Sequence, residues 1–239
     1  MKEEVFQVHN YAVGHRVDKQ LLLALEDIFK QYSSTYLLDL DMECSNSTIY
    51  KFESIDECFD YFDKNPHRIV KMELKVSFGE RYLSNSIKLT FNNMERAYTD
   101  VTFRFDNTDE YLILKNKIEL CIKNFRLNYR ILSIIPIIPI ILTMIFVGIC
   151  EYTDIKNIIL PKNVQHLIIW GWLGGSFLTC IFPPFVRVKR NLFPCTEFRI
   201  GQNELVEDKN AIKRNFIVCT LVIGTILGII VNGISSFLF

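Results

Sequence analysis

Hydrophobic and polar positions follow two different rhythms along this chain, and the change falls near residue 130. Before it, apolar residues come in short periodic sets. Leu21, Leu22, Leu25, Ile28 and Phe29 recur at helical spacing behind Asp18, a side chain suited to capping the first turn. In YLLDLDMEC, Leu38, Leu40 and Met42 alternate with Asp39, Asp41 and Glu43, the mark of a half-buried strand, and STIYKFES continues as a second. Ser54 and Glu57 have capping-box spacing for a short helix through Phe62, with Pro66 at its exit. Three more alternating strands follow. They carry Val70, Met72, Leu74, Val76 and Phe78, then Ile87, Leu89 and Phe91, then Val101, Phe103 and Phe105. A helix from near Asn107 presents Leu114, Ile118, Cys121 and Phe125 as a stripe. Residues 1–128 therefore read as an α+β domain, an antiparallel sheet with helices on one face.

After residue 130 the periodicity gives way to long uncharged runs. Residues 131–150, 167–186 and 216–239 each approach the roughly 20 apolar residues that cross a bilayer, so three transmembrane helices are expected over 129–239. The helix that begins near Asn107 is expected to continue into the first. Basic residues flank the set unevenly. Lys115, Lys117, Lys123, Arg126 and Arg130 precede it, and Arg187, Lys189, Arg190, Arg199, Lys209, Lys213 and Arg214 lie between the last two runs. That bias places the N-terminus and the loop 187–215 on the cytoplasmic side and the C-terminus outside. Pro136 and Pro139 are expected to kink the first span and Pro183-Pro184 to end the second. Gly224 and Gly228 form a GxxxG, and Gly171, Gly174 and Gly175 cluster. Both patterns fit packing between copies in an oligomer and packing within one monomer equally well.

Composition narrows the chemistry. The 239 residues carry 27 basic and 27 acidic side chains, which excludes a generally polycationic nucleic-acid binder. The seven cysteines make no CxxC, and the four histidines make no HxxxH, so neither a metal site nor a cofactor is expected. No GxSxG, P-loop, GxGxxG or HExxH occurs, and the chain does not read as an enzyme. The polar side of the last three strands carries Lys71, Lys75, Lys88 and Arg104 against Glu73 alone. One reading is an anion-binding face for a nucleotide or oligonucleotide, with the 187–215 loop as the other place for such a site. The competing and favoured reading is that Asp39, Asp41 and Glu43 pair beside the patch and neutralise it.

The loop LFPCTEFRIGQ carries the most specific pattern. Thr196, Phe198 and Ile200 alternate with Cys195, Glu197 and Arg199 as a short strand would, and Gly201 stops it. Such a strand needs cover, from the edge of the domain's sheet or from the bilayer interface, and it suits a coupling element. Phe193, Pro194, Phe198, Ile200 and Gly201 form FP-x-x-x-F-x-I-G. With the SIDECFDYF region and the overall layout, this resembles bacterial membrane proteins of anti-phage defence systems, the Hailong-type membrane effectors. The resemblance implies an oligomeric effector of the bacterial inner membrane that forms a pore or ion channel and depolarises the cell. It also implies control by a nucleotide or single-stranded oligonucleotide and a nucleotidyltransferase partner from the same operon. The alternative from a different class is a membrane-anchored scaffold whose α+β domain recruits a protein partner. A transporter is disfavoured, since the spans contain no Asp, Glu, Lys, Arg or His.

Overall fold

The computed structural model describes residues 5–11, 14–79, 85–93, 99–129 and 181–238, together with Pro139 and a few residues between 170 and 178. Strands β1 (Val5–Tyr11), β3 (Tyr36–Cys44), β4 (Ile49–Phe52), β5 (Ile69–Phe78), β6 (Asn85–Asn92) and β7 (Thr99–Phe105) form one six-stranded sheet, while β2 (His15–Asp18) stands apart from it. The order is β1-β7-β6-β5-β3-β4 and every pairing is antiparallel. Helices α1 (Lys19–Tyr32), α2 (Ile55–Lys64) and α3 (Thr108–Asn124) pack on one side of it. The alternation seen in the sequence decides which side: Leu40, Met72, Leu74, Val76, Leu89, Val101 and Phe103 are all fully buried under the helices. Lys71, Glu73, Lys75 and Lys88 stand on the opposite, open face.

Local signals act where they are expected. Asp18 accepts the Leu21 amide at 2.9 Å and starts α1. Ser54 accepts the Glu57 amide at 3.2 Å, while the Glu57 carboxylate takes the amide of Glu53 at 3.3 Å rather than that of Ser54. The box is thus closed one residue further back than its standard form. Asn107 caps α3 through the Asp109 amide.

The C-terminal half departs from the expectation of three transmembrane helices. Among the described residues, no helix is long and apolar enough to cross a membrane. This overturns the three-span architecture, the multi-pass inner-membrane location, and the pore and channel reading built on it. Residues 131–150, apart from Pro139, and several of 167–186 lie outside the described residues, but three boundaries assigned to the spans fall on described ones, and they fall in the wrong places. Helix α3 stops at Asn124, where the Phe125 cap turns away from helical geometry, so it does not run on into the next segment. Pro183 and Pro184 begin a helix, α4 (Pro183–Leu192), instead of ending one. Proline's fixed φ and missing N–H suit a first turn as well as they break an interior one, so the pair alone leaves the direction open. The 187–215 stretch is not a tether. It holds most of α4, strand β8 (Thr196–Arg199) and the start of α5 (Asn203–Leu238). Residue 216, assigned as the start of a span, lies inside this 36-residue helix, which opens with the charged run NELVEDKNAIKRN.

Strand β8 pairs in parallel with β2 in a separate two-stranded ribbon, His15 beside Thr196, Arg16 beside Glu197, Val17 beside Phe198 and Asp18 beside Arg199. Phe198 and Ile200 thereby enter the same core as the sheet and its helices, 3% and 0% exposed. Burying two side chains of this size is worth about 4 kcal/mol, so the segment is anchored.

Candidate functional site at the joint of the ribbon and the long helix

A strand's side chains point alternately to two sides. On the ribbon, His15, Val17, Thr196 and Phe198 share one face and are buried toward the core. His15 Nδ1 lies 3.1 Å from Thr99 Oγ1, and Thr196 Oγ1 donates to the Asn92 carbonyl at 3.2 Å. The other face therefore carries four charged residues, Arg16, Asp18, Glu197 and Arg199. Backbone bonds hold the ribbon to its surroundings: Gly14 N–H to the Cys195 carbonyl at 2.7 Å, Arg16 N–H to Phe125 at 2.8 Å and Leu127 N–H to Gly14 at 2.7 Å. The segment after α3 is pinned alongside.

Across from this charged face runs α5. Ala211, Arg214, Asn215 and Val218 recur at spacings of three and four, so they lie along one side of the helix. Between α5, the ribbon and the Phe125–Tyr129 segment is a cavity of about 770 Å³. Arg16, Arg126, Arg199 and Arg214 line it, against one lining carboxylate, Glu197.

Glu197 is the centre of the network and only 2% exposed. Its Oε1 accepts from Arg199 Nη2 at 3.1 Å and Nε at 3.3 Å and lies 3.8 Å from Arg214 Nη2. Its Oε2 accepts from the Tyr129 hydroxyl at 3.4 Å. Arg199 turns its Nη1 to Asp208 at 3.0 Å, and Arg16 Nε sits 2.7 Å from Asp18. Arg214 is 5% exposed, donates to the Leu192 carbonyl at 3.1 Å and stacks 3.7 Å above the Tyr129 ring. Arg126 has its Nε buried with no hydrogen-bond partner among the described residues. Burial, and then the nearby Glu197 charge, push the Tyr129 hydroxyl well above the ordinary tyrosine range, so it stays a neutral donor.

One turn from Ala211, Glu207 is 8% exposed, and its Oε2 has no hydrogen-bond partner among the described residues. Burial, with the Glu197 charge added, pushes its carboxyl up to about 7, although Arg68, Arg214 and Arg199 pull the other way.

The sheet lysines sit in a different setting. Lys71 and Lys88 reach Glu73 at 2.7 and 2.9 Å, and Lys75 reaches Asp41 at 2.6 Å. Strand β3 lies directly beside β5, with Asp39 opposite Lys75 and Glu43 opposite Lys71. This is the acidic neighbour that the neutralised reading of the patch requires. Burial alone would raise the Glu73 carboxyl, but the hydrogen bonds of Lys71 and Lys88 hold it down near about 2. Arg104 stands opposite Ser86 on β6 and Phe6 on β1.

The coupling-loop residues are brought together. Phe193 is 2% exposed and meets the Tyr129 ring edge-on, and Phe198, Ile200 and Gly201 sit against the domain. Gly201 has φ +54°, and a Cβ there would lie 2.3 Å from the Phe62 carbonyl oxygen of α2. Of the packing glycines, a Cβ at Gly171, Gly174, Gly175 or Gly224 meets nothing within 4 Å among the described residues, and Gly228 falls where no side chains are described. Among the described residues no group of His, Cys, Asp or Glu could hold a metal ion.

Sequence reasoning passed over Arg16, Glu197, Arg199, Tyr129 and Arg214 as site residues. Arg126, Arg199 and Arg214 entered as markers of membrane orientation, Arg199 also as a position of the short strand, and the 187–215 loop that holds Glu197, Arg199 and Arg214 entered as a whole as the other place for an anion site. The available signal was the alternation of charge on two short strands, Arg-x-Asp in β2 and Glu-x-Arg in β8. Comparison with protein-family models, curated proteins and solved structures finds no match for the chain.

Proposed function

We propose that the protein is a ligand-responsive regulatory module whose cavity between the ribbon and α5 binds a phosphorylated ligand of the nucleotide class. The observation that carries this reading is four arginines lining one cavity, of which Arg16, Arg199 and Arg214 already have acids beside them and Arg126 has a buried Nε with no hydrogen-bond partner among the described residues. Guanidinium groups match phosphate oxygens in planar, two-pronged geometry, and an excess of them around a concave space favours an anion. The volume lies within the range of small-molecule sites. Because the walls come from the α+β domain on one side and α5 on the other, an occupant touches both, and its binding would bias how the helix sits. Calorimetry of the full chain with ATP tests it. Arg126→Ala is expected to weaken binding about tenfold without lowering the melting temperature. Heat of binding that Arg126→Ala leaves unchanged, or no binding at all, overturns the assignment.

A second reading, recruitment of a protein partner, is favoured by a different observation. Strand β1 is one of the two edges of the sheet, and it exposes Phe6 by 61% and Val8 by 51%. Exposed apolar edge strands pair readily with other chains. Phe6→Asp would abolish such an association and leave ATP binding untouched.

A further inference from the structure

The cavity's arginines are shared. Arg199 and Arg214 line it; they also lie 3.1 and 3.8 Å from the buried Glu197 of β8, and their charge reaches the buried Glu207 of α5. Glu197 is well served, with hydrogen bonds from Arg199 and the Tyr129 hydroxyl and Arg214 at 3.8 Å. Glu207 is not: one of its oxygens is buried without a hydrogen-bond partner among the described residues, and the Glu197 charge opposes its own. The cations facing it are Arg199 from β8, Arg68 from the segment before β5, and Arg214 from its own helix. Arg68 is also engaged with Asn191 at 2.9 Å. An anion entering the cavity draws on Arg199 and Arg214, two of the charges that partly offset the burial of Glu207.

We infer, building on the ligand-binding reading above, that anion binding in this cavity is coupled to uptake of a proton by Glu207, so that acid promotes ligand capture. The balance is simple: the anion arrives, a proton from solvent joins the Glu207 carboxylate, and no covalent bond in the ligand changes. The neutral acid then gains a donor, and its buried Oε2 no longer carries charge without a partner. In the free protein this carboxyl, raised by burial and by Glu197, titrates near neutrality, where a modest change in field alters its occupancy most. Glu207 is thus a positioning and regulatory residue and does not itself touch the ligand.

The test follows the Glu207 side-chain carboxyl carbon by NMR across the neutral range in the full chain, with and without saturating ATP, Glu207→Gln identifying the signal. The expected result is a midpoint near neutrality that rises by about one unit or more with ATP. In parallel, ATP affinity of the wild type relative to Glu207→Gln should fall about fivefold or more from pH 6 to pH 8, a comparison that cancels the titration of ATP itself. A midpoint in the ordinary carboxylate range, or one that ATP leaves in place while Arg126-dependent binding persists, overturns the proton coupling and spares the binding site. Absence of Arg126-dependent binding overturns the site and the coupling together.

Discussion

The open face of the sheet and the joint at α5 both concentrate charge, and they use it in opposite ways. On the sheet, Lys71, Lys75 and Lys88 stand 26–43% exposed and share Glu73 and Asp41 at 2.6–2.9 Å. Each cation has an acid within reach and water beside it. At the joint, Arg214 and Glu197 are 5% and 2% exposed; Arg16, Arg199 and Arg214 hold Asp18, Asp208 and Glu197, while Arg126 and Glu207 each keep a buried polar atom with no hydrogen-bond partner among the described residues. Solvated, matched pairs contribute little and are easily exchanged, whereas buried, unmatched charge is costly and persists only where surrounding structure imposes it. The unpartnered buried polar atoms, Arg126 Nε and Glu207 Oε2, lie at the joint.

The largest way to break this contrast is to undock the joint. Gly201→Ala places a methyl 2.3 Å from the Phe62 carbonyl oxygen, at a left-handed φ that a side chain resists. Backbone cannot yield as a side-chain tip can, so a loss of about 4 kcal/mol or more is expected, read as a fall in melting temperature together with lost ATP binding. Unchanged stability would mean that the ribbon is not anchored on α2. Phe198→Ala removes a ring buried in the shared core and should cost about 3 kcal/mol, measured by denaturant titration with Leu23→Ala, 37% exposed, as a mild control.

How much of this was legible follows from which faces each element covers. Strands β3, β5, β6 and β7 were readable because one face is buried and one is open, so their period of two survives in the sequence. Strand β1 was not readable. Gln7 and His9 face the helices, and the His9 ring lies 2.7 Å from the Tyr111 hydroxyl, while Phe6 and Val8 point to the open side. Val5 and Tyr11 pack against the core on the same side as Gln7 and His9, so both faces are mixed and the alternation is blurred. Strand β8 was visible as an alternation, but Glu197 read as an outward residue, since no signal announced that α5 and Tyr129 would cover that face. The joint is assembled from residues near positions 16, 126, 197 and 214, and such distant pairing leaves no local periodicity to read. The apolar runs misled for a related reason: length and apolarity do not say what surrounds a segment, and the span boundaries fell inside α4 and α5.

Glu207→Gln sharpens the contrast from the other side by removing a charge that the joint tolerates poorly. Burial and Glu197 raise this carboxyl from 4.5 to about 7. A raised carboxyl costs nothing below its unfolded value and carries its full penalty above the folded one, so wild-type stability falls as pH climbs from 4.5 toward 7. The glutamine variant lacks that slope. It should be about 2 kcal/mol more stable than wild type near pH 8 and equal to it near pH 4, by chemical denaturation at both pH values. Glu73→Gln on the sheet should behave in reverse and more weakly. Lys71 and Lys88 hold that carboxyl near about 2, so its contribution is present above 4.5 and is lost as pH falls toward 2. With partly exposed partners the loss at neutral pH is expected to be about 1 kcal/mol, and it should vanish in acid.

The smallest expected effect separates the two regions most directly. Replacing Lys71, Lys75 and Lys88 together with methionine keeps the aliphatic stems that lie along the sheet and removes three positive charges from the open face. Arginines at the joint are untouched, and the long-range field of exposed charges is screened beyond roughly 8–10 Å at physiological salt. ATP affinity should then stay within about twofold of wild type, against the roughly tenfold loss expected for Arg126→Ala. If the triple variant instead loses as much affinity as Arg126→Ala, the balanced face is the anion site after all. Glu73 and Asp41 would then have to release their lysines on binding, and the distinction between matched surface charge and unmatched buried charge would not locate the ligand.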